Sequence, residues 1–240
     1  MNSSKREHIE LDKSWKGVYK AGGLALILSG AILVTFLLSI FILHVNLPLT
    51  PRAVLEAPGK PVFLYLLAIV GESLLMPAGL GIYLALRGVK KNPMLLGATL
   101  WVMASIVFII SRGQILSLYL VSPKYLAASS ESIQSMYLVT ADTVLDVANM
   151  LGNLALILFQ SGSILIGSVV RGVFSKRTGN LVMVSASMTI IGTLGVLVNP
   201  LAIFTLLGLI STAVWTVMLG IRLREMSVDS HPSNNRTLVS

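Results

Sequence analysis

Between Lys20 and Arg52 the chain carries no lysine, arginine, aspartate or glutamate, and residues 22–45 form an apolar run long enough to cross a bilayer. Comparable runs follow at residues 62–86, 94–121, 137–170, 180–198 and 201–221. A backbone in lipid must satisfy its own N–H and C=O groups, and no run alternates with the period of two that a barrel strand needs, so each is predicted to be a helix. Composition agrees: 55% of the 240 residues are hydrophobic and 12% charged, with a mean hydropathy of +0.84, whereas a soluble domain carries about a quarter charged residues. The expected fold is all-α, a polytopic bundle of six transmembrane helices over residues 22–221. It lies between an N-terminal segment of residues 1–21 and a polar tail, residues 222–240, expected to be disordered. The first run is too long for a cleaved leader, and no small-x-small cleavage pattern follows it before His44, Asn46 and Pro48, so it is expected to remain as an anchor.

The net charge of +8 invites thoughts of nucleic acid, but the positions of the charges point elsewhere. Lys5, Arg6, Lys13, Lys16 and Lys20 precede the first span; Arg87, Lys90 and Lys91 follow the second. Arg171, Lys176 and Arg177 follow the fourth, and Arg222, Arg224 and Arg236 the sixth. Only Arg52, Lys60, Arg112 and Lys124 fall on the other side. Positive residues favour the cytoplasmic face, so both termini are expected inside the cell, and the lipid bilayer, with no nucleic acid, accounts for the charge. The third and fourth runs exceed a membrane crossing, and their surplus meets at residues 122–136, so these helices are expected to protrude or continue along the outer surface. Asn199 and Pro200 predict a tight outer turn between the last two spans. The two halves of the chain have opposed topologies, yet Glu72 and Pro77 have no counterparts in the fifth span, so an inverted repeat is unsupported.

Ionisable side chains within spans need a reason, since each costs roughly 2.5–3.5 kcal/mol at the bilayer centre. Glu72 sits in the second span just before Pro77, which removes a helix hydrogen bond and predicts a kink there. Glu72 reads either as a proton- or cation-linked site or as a neutral, hydrogen-bonded structural acid. Arg112 lies near the outer boundary of the third span, with Gln114 two residues beyond. Its depth matches Asp142 and Asp146, so it is expected to pair with one of them or else to reach the outer headgroups. In the fourth span Asp142, Asp146, Asn149, Asn153 and Gln160 fall within a stripe under about 80° wide at about 100° per residue. Such a stripe is either an interhelical hydrogen-bond seam or the wall of a hydrated crevice. Trp101 and Trp215 are expected in the core, and Trp15, Tyr19, Phe63, Tyr65 and Tyr125 at the membrane interfaces.

The absence of cysteine excludes disulfides, thiolate metal sites and cysteine nucleophiles, and His8, His44 and His231 have no ligand spacing. No Gly-x-Ser-x-Gly elbow, phosphate-binding loop or dinucleotide fingerprint occurs, and an i, i+4 carboxylate pair is a weak catalytic signal. No catalytic residue, metal ligand or cofactor is assigned. The segment Pro123-Lys124-Tyr125-Leu126-Ala127-Ala128-Ser129 leads into a polar fourth helix and is followed by the basic connector Arg171-Gly172-Val173-Phe174 and a closing hairpin. Together these resemble a domain-of-unknown-function family of six-helix prokaryotic integral membrane proteins. The resemblance implies the bundle fold and a multi-pass place in the plasma membrane, and it carries over no binding residue. Two functions fit: a non-catalytic accessory or assembly subunit, working with a membrane-protein partner or as a homo-oligomer, or a small-molecule or ion binding or permeation protein. In the second, Glu72, Arg112, Gln114 and the stripe from Asp142 to Gln160 line an outward-facing crevice formed by helices 2, 3 and 4.

Overall fold

A computed structural model describes residues 13–45, 49–193, 195 and 201–228, and these are helical, with no strand among them. After a 3-10 turn at Lys13–Trp15 come α1 (Lys16–Ile42), the short α2 (Pro51–Glu56), α3 (Gly59–Ser73), α4 (Leu75–Leu86), α5 (Lys91–Leu126), α6 (Glu131–Val173), α7 (Lys176–Thr193) and α8 (Ala202–Val228). Among the described residues, five segments are long and apolar enough to cross a membrane: α1, the joined α3–α4, α5, α6 and α8. Their outward faces carry exposed leucine, isoleucine and valine, as at Leu24, Leu38, Leu66, Ile106 and Ile210, surface that water would not tolerate at this extent. The chain is a membrane protein.

Each long helix packs antiparallel on the next. Gly22 of α1 lies against Gly81 of α4, Gly97 of α5 against Gly162 of α6, Gly167 of α6 against Val182 of α7, Ser185 of α7 against Gly208 of α8, and Gly220 of α8 against Gly23 of α1. The helices thus close into a ring, with α5–α6 and α1–α8 the most extensive seams. Trp101, Phe159 and Trp215 fill its middle, with ring centroids 5.1, 5.9 and 6.2 Å apart. Trp101 Nε1 donates to Ser163 Oγ at 3.1 Å, which makes this indole's polar edge compatible with burial.

The ring has unlike ends. At one, Lys16, Arg87, Lys91, Arg171, Lys176 and Arg222 cluster near helix termini; this is the basic end. At the other, α5 and α6 outrun their neighbours: 36 and 43 residues against 27 in α1 and α8, an excess of roughly 14–24 Å at 1.5 Å per residue. A second core holds this overhang together. Val54 and Leu55 of α2 bury against Ile115, Leu118 and Tyr125 of α5 and Ala141, Leu145 and Ala148 of α6. Ser122 Oγ donates to the Leu55 carbonyl at 2.6 Å, and Tyr125 Oη to Glu56 at 3.3 Å. Thr50 caps α2 by accepting from Ala53 N, with Pro51 at the first helical position, and Ser130 caps α6 the same way. The protrusion expected at residues 122–136 is therefore a continuous helical hairpin broken only at residues 127–130.

Two expectations fail here. Residues 222–228 are helical, because Leu223 and Met226 pack on the core and Arg222 pairs with Glu225 at 2.8 Å one turn on. Tyr19 is buried in the core instead of lying at an interface. The turn at Asn199 and Pro200, residues 229–240 and residues 1–12 fall outside the described residues.

A Cβ at Gly162 would stand 2.7 Å from both the Gly97 carbonyl and Trp101 Cδ1, whereas one at Gly113 meets nothing within 4 Å. Gly162→Ala should therefore lower stability in detergent by about 1–3 kcal/mol through overpacking. Gly113→Ala should raise it by about 0.5–1 kcal/mol through helix propensity. Thermal unfolding of the two variants side by side checks both signs.

Candidate functional site

Pro77 has no N–H for the Ser73 carbonyl, and the helix breaks there: α3 stops at Ser73 and α4 begins at Leu75. Ser73 turns its hydroxyl back onto the Ile69 carbonyl at 2.7 Å, a bond that favours bending. Glu72 is thereby held on the last turn of α3. Gly71 beside it lets α1 come close, for a Cβ there would lie 2.8 Å from Ile32, and Ser29 Oγ donates across the gap to the Gly71 carbonyl at 3.0 Å.

Facing Glu72 is Arg112 of α5. Helix side chains lean toward the N-terminus, so Arg112 reaches back over Phe108, one turn earlier. Its guanidinium carbon lies 5.4 Å from the centre of the Phe108 ring and 5.4 Å from that of the Tyr65 ring of α3. Nε and Nη2 both donate to Glu72 Oε1, at 3.2 and 3.0 Å. The two side chains are only 20% and 15% exposed. The second carboxylate oxygen, Oε2, is buried and has no hydrogen-bond partner among the described residues. Beside the pair opens a crevice of about 80 Å³, walled by Ile32, Leu33 and Phe36 of α1 and by Ala68 and Leu75.

Arg112 therefore pairs with Glu72, correcting the partner expected from the sequence. Asp142 and Asp146 match its depth but lie on the exposed side of α6, about 100° round from the stripe of Ala141, Leu145 and Ala148 that faces α5. Depth alone could not reveal that rotation. Tyr65 and Phe108 were the missed members of the site, and both were legible as helix neighbours: Tyr65 stands two turns before Glu72, and Phe108 one turn before Arg112. The wall from α1 had no local signal.

The α6 stripe does not act as one unit. Asp142, Asp146 and Asn149 are exposed, Asn153 is half-buried, and Gln160 is fully buried. Gln160 Nε2 donates to Thr212 Oγ1 at 3.5 Å; Thr212 and Ser185 hydroxyls lie 3.0 Å apart, and Ser185 Oγ donates to the Gly208 carbonyl at 2.9 Å. The buried part is thus an interhelical seam across α6, α7 and α8. Gln114 is half-buried on another face of α5 and does not line the crevice. The crevice belongs to α1, α3, α4 and α5, and α6 contributes none of its lining.

No family model, curated protein or solved structure matches the chain. The chemistry of the site accordingly rests on its geometry: a charge-neutral pair with one unused acceptor, next to an apolar slot.

Removing one member of a buried pair strands the other, at about 3–5 kcal/mol, whereas removing both costs much less than the sum. Glu72→Gln and Arg112→Gln should each destabilise strongly, and the double variant should fall well short of additivity in thermal or denaturant unfolding. Asp146→Asn, at an exposed position, should change stability by no more than about 0.5 kcal/mol.

Proposed function

We propose that the chain is a six-span protein of the cell membrane, with both ends on the cytoplasmic side, and that it serves as a non-catalytic accessory or assembly subunit. The six-span reading is supported by α7. Although its 18 residues take in Lys176, Arg177 and Asn180 and are less apolar than the other five segments, α7 starts at the basic end, with Gly179 against Arg171, and runs to the far end, with Gly192 against Thr205. Its 18 residues cover about 27 Å, close to the thickness of a hydrocarbon core. The excess of Lys and Arg at the basic end supports placing that end in the cytoplasm.

The accessory reading is carried by the α5–α6 overhang. The two longest helices of the bundle form it, and it leaves Met136 68% and Val139 64% exposed, beside the carboxylates of Asp142 and Asp146. An exposed apolar face edged with charge is what a docking helix presents. The ring's centre offers no comparable surface, since the Trp101–Phe159–Trp215 cluster and the Gln160 seam occupy it. Permeation through the middle is thereby disfavoured, while the crevice beside Glu72 favours a binding capacity in addition to docking.

Because the chain has no cysteine, single thiols report position cleanly. Cysteine at Asn149 should react with a membrane-impermeant maleimide from outside the cell, and cysteine at Gln160 should not; labelling at Gln160 would open the centre and overturn the sealed reading. A photo-crosslinker at Met136 or Val139 in native membranes should give a discrete adduct that is lost in Asp142→Lys/Asp146→Lys. The adduct's mass separates a second copy from a different membrane protein, and no adduct together with a monomeric size in gentle detergent would refute docking. Reporters fused to the two ends should both read as cytoplasmic; a split result would reduce the crossings to five.

A further inference from the structure

The crevice beside Glu72 combines features that packing alone does not explain. Glu72 Oε2 lacks a donor, although Ser29 and Arg112 line the same crevice and Ser73 is the next residue in the chain. Ser29 spends its hydrogen on Gly71, Ser73 spends its own on Ile69, and Arg112 directs both of its nearest N–H groups to Oε1. A buried acceptor left without a donor is costly, so the site is incomplete as the chain alone builds it. Glu72 shares the lining of the crevice with the apolar wall of Ile32, Leu33 and Phe36. Exposed Val34 and Leu38 of α1 and exposed Leu66 and Val70 of α3 flank it, so the approach is from the bilayer.

We infer that the crevice binds the hydroxyl head of a neutral membrane amphiphile, with the hydroxyl donating to Glu72 Oε2 and the apolar body lying along Ile32, Leu33 and Phe36. Charge selects the class. Glu72 and Arg112 already neutralise one another, so an ammonium or carboxylate head would bring an uncompensated charge into a low-dielectric slot. A hydroxyl supplies the missing donor without that penalty. Water alone would satisfy the oxygen but leave the apolar wall unmatched, and a volume of about 80 Å³ exceeds the roughly 30 Å³ that one water occupies in the liquid. This inference is independent of any docking partner.

The test uses the full chain in phosphatidylcholine nanodiscs and three diazirine probes with the same sixteen-carbon tail, about that length being enough to reach the bilayer midplane: an alcohol, a carboxylic acid and an amine. The alcohol should label the α1 segment around Ile32 to Phe36 several-fold more than the acid or the amine. Unlabelled hexadecanol should compete and glycerol should not. Glu72→Gln should reduce labelling several-fold, but it also strands Arg112, so Leu33→Trp provides the second arm: it fills the slot without touching the ion pair and should abolish labelling while leaving the thermal transition in place. Equal labelling by the three heads, or labelling that survives Leu33→Trp, would mean ordinary lipid contact and overturn the inference. Competition by glycerol as strong as by hexadecanol would overturn the membrane source.

Discussion

Where Gly97 and Gly162 bring the backbones of α5 and α6 together, a single antiparallel pairing becomes the spine of two separate cores. Toward the basic end it seats Trp101 on Ser163 and Phe159, and through Trp215 it ties in α8. Toward the other end the same two helices run on past their neighbours and bury Ile115, Leu118, Ala141 and Leu145 against α2. In lipid there is little hydrophobic drive between helices, so the first core depends on close backbone approach and on dispersion. The second core adds capped helix ends and the buried Ala141 and Ala148.

Between the two cores lies a thin polar layer. Ser111 Oγ donates to the Ala148 carbonyl at 2.8 Å, Ser29 to Gly71, and Arg112 to Glu72. The two rings beside Arg112 belong to different cores: Phe108 is a member of the first, while Tyr65 packs against the second. The guanidinium therefore sits at the boundary between the two cores. Arg is suited to such a place because its planar group stacks on aromatic faces while its edges form hydrogen bonds. That position also explains why the crevice is here: the break at Pro77 and the glycine at Gly71 interrupt regular packing at the level where polar groups must be accommodated.

What the sequence discloses is the part governed by period and length. The apolar runs, the break before Pro77, the excess length of the third and fourth runs and the core placement of Trp101 and Trp215 all follow from local pattern. Rotation about each helix axis is another matter. The partner of Arg112 depended on which face of α6 meets α5, and a shared depth along two helices does not say so. Likewise α2, capped by Thr50 with Pro51 at its first position, was not anticipated, and its docking against α5 and α6 follows from no local pattern. The end of α8 was misread because Arg222 to Val228 is polar in composition, while Leu223 and Met226 within it still reach the core.

The fate of the α6 stripe shows how one pattern serves two ends. Asp142, Asp146, Asn149, Asn153 and Gln160 share a face, and nothing in their spacing separates the first three from the last. The neighbour separates them. At 18 residues α7 is less than half as long as α6, and it packs antiparallel from the basic end, where Gly167 meets Val182. Over that length the stripe is covered, and polarity there must be internal: an amide and hydroxyls that can bond across α7 and α8, with no charge. Beyond it the stripe is uncovered, and the residues become carboxylates that water can solvate. The gradient from Gln160 to Asp142 follows the shelter α7 provides, and the charged end is left free to meet something other than this chain.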